Sequence, residues 1–258
     1  MDEIRPDVLA ARNYIYSLLD LESPGAMLDV GCGKGGDLRR IAERVGGECR
    51  FVGVDSSEKA IEQARAESPD SRFEFLAADV SEGLPFESER FGLAYSNNFL
   101  ECLTDKDALV REVHRVLRPG GQVAFAHCDW DSQLIDGSDK ELVRKIVHAY
   151  GDWKQAWMAD CDSWMGRRLW RVFNRSGLFS GAVHTYILTN TEFAEPYFGY
   201  ARVKDFEALV RRGMISKEEY DRFYQDLVDL VEKGEYFYSI TVFVYLGRKL
   251  EKGTGHGD

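Results

Sequence analysis

Along the first half of this chain, apolar residues fall into two alternating patterns. Short continuous runs occur at residues 27–30, 50–54, 73–79, 91–98 and 122–128, and between them lie stretches in which apolar groups return every three or four positions. Runs of that length read as strands buried on both faces, and the spaced stretches read as amphipathic helices. The helices are predicted at 37–45, 57–67 and 108–117, with another at 7–19 ahead of the first strand. Their ends carry fitting chemistry. Ser56-Ser57 can cap a helix that stops before Ser68-Pro69, and Thr104-Asp105 can open one that Pro119-Gly120-Gly121 closes. Strand and helix in alternation predict a parallel sheet with right-handed crossovers, with ligands bound beyond the carboxyl ends of the strands.

The second half breaks that rhythm. Residues 129–180 hold all five tryptophans, Trp130, Trp153, Trp157, Trp164 and Trp170, interspersed with aspartates. Leu142, Ile146, Tyr150, Trp153 and Trp157 recur at helical spacing and predict a helix within 139–158. After them, 181–190 reads as a sixth strand, 202–212 and 216–232 as helices, and 236–247 as a seventh strand.

The strand ends concentrate the chemistry. After Met27-Leu28-Asp29-Val30 comes Gly31-Cys32-Gly33-Lys34-Gly35-Gly36, where alternate glycines allow positive φ and close approach of a ligand to the main chain. A helix then begins, with unpaired N–H groups at its start. This turn suits a nucleotide-like ligand. Gly31, Gly33 and Gly36 also satisfy G-x-G-x-x-G, the dinucleotide fingerprint, so a nicotinamide cofactor is one reading. Asp29 opposes it, because a carboxylate beside the turn repels a pyrophosphate and attracts an ammonium. Asp55 ends the second strand and can accept from ribose hydroxyls, which fits either ligand, and Asp79 ends the third. Asp29, Asp55, Asp79, Asn97 and His127 all fall at predicted strand ends.

Through Leu28-Asp29-Val30-Gly31-Cys32-Gly33-Lys34-Gly35 and Val116-Leu117-Arg118-Pro119-Gly120-Gly121, the chain resembles class I S-adenosylmethionine-dependent methyltransferases, over roughly residues 20–128. Its look is that of the ubiquinone/menaquinone-biosynthesis-type small-molecule branch. The resemblance implies an α/β, Rossmann-like, seven-stranded, mostly parallel sheet with helices on both faces. It further implies that the last strand is antiparallel and inserted between the fifth and sixth, and that a helical lid follows strand five. It implies S-adenosylmethionine as the cofactor. Gly31, Gly33 and Gly35 would hold the methionine portion with Asp29 near its amine, and Asn97 would support it. Asp55, with Ser56 beside it, would take the ribose, and Asp79 with Val80 the adenine. Cys102 stands where the family often has histidine, and no N-P-P-Y or D-P-P-Y follows strand four, which argues against methylation of nucleobase amino groups.

The organisation expected is a single overall domain. Residues 1–128 form a cofactor-binding core with an N-terminal lid helix, 129–180 a helical and aromatic substrate lid, 181–250 the rest of the sheet and helices, and 251–258 a disordered tail. Composition narrows the setting. The chain has 258 residues, 44% of them hydrophobic, without an apolar run approaching the ~20 that span a bilayer. Its acidic start lacks the basic and apolar regions of a secretory signal, so a cytoplasmic location is expected. Five scattered cysteines lack metal-ligand or disulfide-framework spacing, so no metal is expected. A net charge of −11 disfavours nucleic acid as partner. The partner expected is a small-molecule acceptor, with a homodimer considered and neither nucleic acid nor membrane.

His127 is the first candidate base, since it ends the fifth strand and titrates near neutrality. Asp129 is the second. Trp130 between Asp129 and Asp131 offers an indole face and carboxylates to a cation, and Tyr14, Trp157, Trp164, Tyr197 and Tyr200 are further candidates for the acceptor site. His114 and His148 fall on helices away from the strand ends. Acids and tryptophans together favour an amine nitrogen as acceptor. O- or C-methylation of a phenolic or polyketide-like metabolite, an NAD-dependent oxidoreductase and a non-catalytic S-adenosylmethionine-binding module are the alternatives.

Overall fold

A computed structural model of the protein describes residues 5–250. The elements run α1 (Pro6–Ser17), β1 (Ala26–Val30), α2 (Gly36–Ala42), β2 (Arg50–Asp55), α3 (Glu58–Glu67), β3 (Phe73–Ala77), β4 (Phe91–Asn97), α4 (Lys106–Val116) and β5 (Leu117–Cys128). They continue with β6 (Leu134–Ile135), α5 (Lys140–Gly151), α6 (Met165–Ser176), β7 (Phe179–Asn190), α7 (Phe198–Asp205), α8 (Glu207–Arg211), α9 (Lys217–Lys233) and β8 (Tyr238–Lys249). The order across the eight-stranded sheet is β3-β2-β1-β4-β5-β8-β6, and β7 also pairs with β8. Pairings among β1 to β5 are parallel, whereas β6 and β8 run antiparallel.

Local chemistry accounts for the helix starts. The side chains of Ser57, Asp105 and Asp139 accept from backbone N–H groups in the first turns of α3, α4 and α5. Ser216 and Glu219 form a reciprocal capping box at α9. In β1, β2 and β4 nearly every residue is buried, as the unbroken apolar runs require of central parallel strands.

The fold class expected from sequence is present, with eight strands in place of seven. The added strand is the two-residue β6, whose backbone pairs with Tyr238 and Ser239. The last strand pairs with both β5 and β7, the expected fifth and sixth. Other boundaries moved. The helix expected within 139–158 ends at Gly151, and α6 was not anticipated although Met165, Leu169, Val172 and Phe173 repeat at helical spacing and are buried. The helix expected at 202–212 divides into α7 and α8. The tail expected at 251–258 lies outside the described residues. Among those described, no helix is long and apolar enough to cross a membrane.

The chain divides into two compact units. One, the strand unit, gathers Leu18–His127, Arg168–His184 and the chain from Val244 onward. It centres on Met27, Leu28, Phe51, Val52, Ala94, Tyr95 and Val123, all wholly buried. The other, the aromatic unit, gathers the segment through Ser17 with Cys128–Arg167 and Thr185–Phe243, around Ile146, Met165, Phe206, Leu209, Leu227 and Tyr238. Each Val, Leu, Ile, Met and Phe side chain among these contributes about 1.5–3 kcal/mol on burial.

Candidate functional site

In the strand unit, the turn after β1 folds back onto β2: the Gly31 and Cys32 amides both donate to the Val54 carbonyl, at 2.8 and 3.1 Å. Gly31, Gly33 and Gly35 have φ of 76, 50 and 72°, a region that side chains with a Cβ enter at a cost. At Gly31 a Cβ would also lie 2.3 Å from the Phe99 ring, and at Gly35 2.7 Å from Phe75. Gly33 differs, because nothing lies within 4 Å of where its Cβ would point. Its side of the turn is open to a ligand, and its amide donates to Asp55 Oδ2 at 2.9 Å.

The three carboxylates stand on neighbouring strands. Asp29 is opposite Gly53 of β2 and Tyr95 of β4, one residue inside the end of β1, and buried. Asp55 is opposite Ala77 of β3, two residues before Asp79. Burial pushes the Cys32 thiol well above its ordinary range, and the Asp29 and Asp55 carboxylates push it further, so both charges act on one point of the turn. Asp55 Oδ1 also accepts from the Ser57 amide at 2.9 Å, and Ser56 beside it is exposed. Each Asp55 oxygen accepts one bond and retains a lone pair for a further donor. Asp79 lies below the usual carboxylate range because its carboxyl accepts from the Ser81 amide. Val80 beside it is buried. A glycine turn open at Gly33, with carboxylate acceptors at adjoining strand ends, matches the donors and positive charge of an adenosyl sulfonium amino acid, and opposes a diphosphate.

To Asn97 and His127 the structure adds Tyr95, Asp37 and Glu101, which the sequence did not single out. Tyr95 Oη donates to Asp37 Oδ2 at 3.0 Å and Asn97 Nδ2 donates to Tyr95 Oη at 3.2 Å, joining the start of α2 to the end of β4. His127 is 1% exposed, and its Nε2 lies 3.8 Å from Glu101 Oε2, a carboxylate that is itself buried. Glu101 was legible as an acid between Leu100 and Cys102 in a buried segment, but its partner was not. His114 packs edge-on against Phe179.

In the aromatic unit the candidates separate. Asp129, expected as a second base, is fully buried and receives Arg167 Nε and Nη2 at 2.6 Å each and the Arg167 amide at 3.2 Å. Both oxygens are occupied, so this carboxylate is the anchor of a charge pair rather than a group poised to take a proton. The Arg167 guanidinium lies 4.7 Å from the Trp164 ring centre, and the Trp164 indole donates to Asp131. Trp130 meets Tyr150 edge-on. Tyr14 packs on Tyr186, and Tyr200 on Phe193 with Lys204 Nζ 5.5 Å from its ring. Tyr197 precedes the first turn of α7. Trp157 is 69% exposed. Asp131, Trp164 and Trp130 therefore adjoin one another in sequence and contact, whereas Tyr14, Trp157 and Tyr200 do not join them. Among the described residues no group of three or more His, Cys, Asp or Glu side chains could hold a metal.

A family model described as a methyltransferase domain matches residues 21–191. Ajmaline N-methyltransferase of Rauvolfia serpentina is 27% identical over 147 residues, which cover 56% of this chain and 50% of that protein. Malonyl-[acyl-carrier protein] O-methyltransferase of Pseudescherichia vulneris is 35% identical over 119 residues, covering 46% and 43%. Among solved structures, phosphoethanolamine N-methyltransferase 2 of Haemonchus contortus in complex with S-adenosyl-L-methionine is similar with a TM-score of 0.56 at 18% identity, covering 94% of this chain and 53% of that one. The chain thus spans about half the length of each.

Proposed function

The chain belongs to the methyltransferase-domain family, S-adenosylmethionine-dependent enzymes, and on that premise we propose that it transfers a methyl group from S-adenosylmethionine to the nitrogen of a small-molecule amine, within the small-molecule branch. The observation that carries the donor assignment is the open side of the turn at Gly33, whose amide donates to Asp55 on the strand beside the buried Asp29. Bound at that turn, S-adenosylmethionine supplies an electrophilic methyl group whose transfer is an in-line displacement. Asp29 attracts the ammonium of the methionine portion, and the main chain at Gly31, Gly33, Gly35 and Asn97 lies along it. Asp55 and Ser56 accept from and donate to the ribose hydroxyls, and Asp79 with Val80 receives the adenine. Asp55 and Asp79 suit donors because each already holds its loop through a backbone amide, and the Ser81 amide keeps the Asp79 carboxyl below the usual carboxylate range.

On the acceptor side, Trp130, Asp131 and Trp164 offer indole faces and one carboxylate to a cationic or hydrogen-bonding amine. An arginine already stacked on Trp164 is this chain's own example of that chemistry. Tyr14, Trp157, Tyr197 and Tyr200 remain assigned to acceptor contacts. His127, with Glu101 beside it, is assigned to holding the proton that the nitrogen releases. Much of the rate such an enzyme supplies comes from alignment, which can contribute about 7–11 kcal/mol. O-methylation is the second reading, favoured by the 35% identity to an O-methyltransferase.

Incubation with methyl-labelled donor and a panel of amines, phenols and carboxylates tests this directly. Labelled N-methyl product is expected, and Asp131→Asn should raise KM for the amine with a smaller change in kcat. Label recovered only in ethers or esters would replace nitrogen by oxygen. Donor bound at full occupancy with no product across the panel would leave a binding module, and tight NAD(H) binding without S-adenosylmethionine binding would overturn the donor.

A further inference from the structure

The aromatic unit contains a cavity of about 330 Å³ between β6 and α5, bordered by Gln133, Leu134, Ile135, Val143 and Val147, by the charged side chains of Asp131, Asp136, Lys140 and Arg144, and by the imidazole of His148. Its volume falls at the lower end of the range for small-molecule sites, about 300–1,000 Å³. Its walls are of two kinds. Ile135 and Val147 are buried, while Leu134 is 62% exposed at the mouth, leaving an apolar surface that nothing in the unit covers. Lys140, Arg144 and His148 follow one another at intervals of four along α5, so they share one face of the helix.

What distinguishes this row is its lack of ion pairs. Among the described residues the side chains of Lys140, Arg144 and His148 have no hydrogen-bond or ion-pair partner, whereas Lys145, which does not border the cavity, pairs with Glu219 at 2.5 Å. Asp131 and Asp136 border the same cavity, yet neither is ion-paired to the row: Asp131 receives the Trp164 indole and Asp136 Oδ1 receives the Gly137 amide at 2.9 Å. Lys140 is moreover the first residue of α5, where the helix dipole disfavours a cation and favours an anion. In a chain of net charge −11, a row of basic groups without ion pairs beside exposed leucine is a specific arrangement. We propose that this cavity binds a small organic anion with an apolar body, its head on Arg144 and Lys140 and its chain along Val143, Val147, Ile135 and Leu134. The site uses none of the strand-end residues that would hold the methyl donor; of the proposed acceptor contacts it shares only Asp131.

Octanoate is the probe, titrated into the full chain by calorimetry, with octylamine as the matched cation. Saturable octanoate binding is expected, weakened tenfold or more in Arg144→Gln and further in the Lys140→Gln/Arg144→Gln pair, and lost in Leu134→Asp. Lys145→Gln removes the same charge one position away on the same helix and should leave the dissociation constant within twofold. All four positions are exposed, and unfolding curves would verify that the variants fold. Equal weakening by Lys145→Gln would mean diffuse attraction, equal binding of octylamine would mean a purely apolar surface, and absence of saturable binding would mean no site. Any of the three overturns the proposal.

Discussion

The turn of the strand unit and the acid-rich stretch of the aromatic unit look alike in composition, yet their carboxylates are in opposite electrostatic states. Asp55 and Asp79 accept from backbone amides, and among the described residues neither has a cation beside it. Asp129 is more deeply buried and is compensated by a bidentate arginine. Burying an ionised group is expensive unless it is paired, so Asp129 had to acquire Arg167, and in doing so lost the capacity to act on anything else. Asp55 stays half-buried and Asp79 exposed, and both keep theirs. An acid is a functional candidate to the extent that the protein has not already neutralised it.

The sharpest way to break this comparison is at the turn itself. Gly31→Ala forces a Cβ into the Phe99 ring at a φ of 76°, and strain plus overpacking should cost about 3–4 kcal/mol in denaturant unfolding. Gly33→Ala has open space and should cost roughly 1 kcal/mol, while donor affinity falls because the new methyl stands where a ligand would approach. If both variants unfolded alike, the openness at Gly33 would mean nothing.

Next is Arg167→Met, which strands the Asp129 carboxylate. With the arginine side chain 42% exposed, water softens the loss, and about 2–3 kcal/mol of stability should go, with donor affinity unchanged. Asp55→Asn should do the reverse. The amide oxygen can still accept from Gly33 while its amino group faces the Ser57 amide, so only about 1 kcal/mol of stability should go, while the dissociation constant for S-adenosylmethionine rises tenfold or more, about 1.4 kcal/mol. Matching effects of the two variants on affinity and on stability would erase the distinction between compensated and uncompensated acids.

The smallest effect concerns pH. The Ser81 amide holds the Asp79 carboxyl below its ordinary value of 3.8. A depressed folded-state value means that this contact stabilises the protein above pH ~4 and fades as pH falls through the folded value. The difference in melting temperature between wild type and Asp79→Asn should therefore be present at pH 7 and shrink toward pH 3. A difference that grew on acidification would reverse the sign.

The alternation of apolar runs and helical spacing located nearly every strand end in advance, and with them Asp29, Asp55, Asp79 and Asn97, because strand period and helix caps are local properties. α6 was equally visible in the spacing of Met165, Leu169, Val172 and Phe173, and the density of tryptophans around it obscured the pattern. Asp129 was misjudged for a different reason: its partner is 38 positions away, and no local pattern announces which arginine will return to which aspartate. The pairing of His127 with Glu101, and the contact of Phe99 with Gly31 that makes glycine obligatory there, are of the same kind.

By itself, then, the order of residues determined where this chain turns, which residue types stand at those turns, and what family of ligand a glycine bend ringed by acids can hold. Which carboxylates remain available was decided only when the chain closed on itself. Charge compensation acts over a few ångströms in space, irrespective of distance along the backbone, and only folding sets those distances.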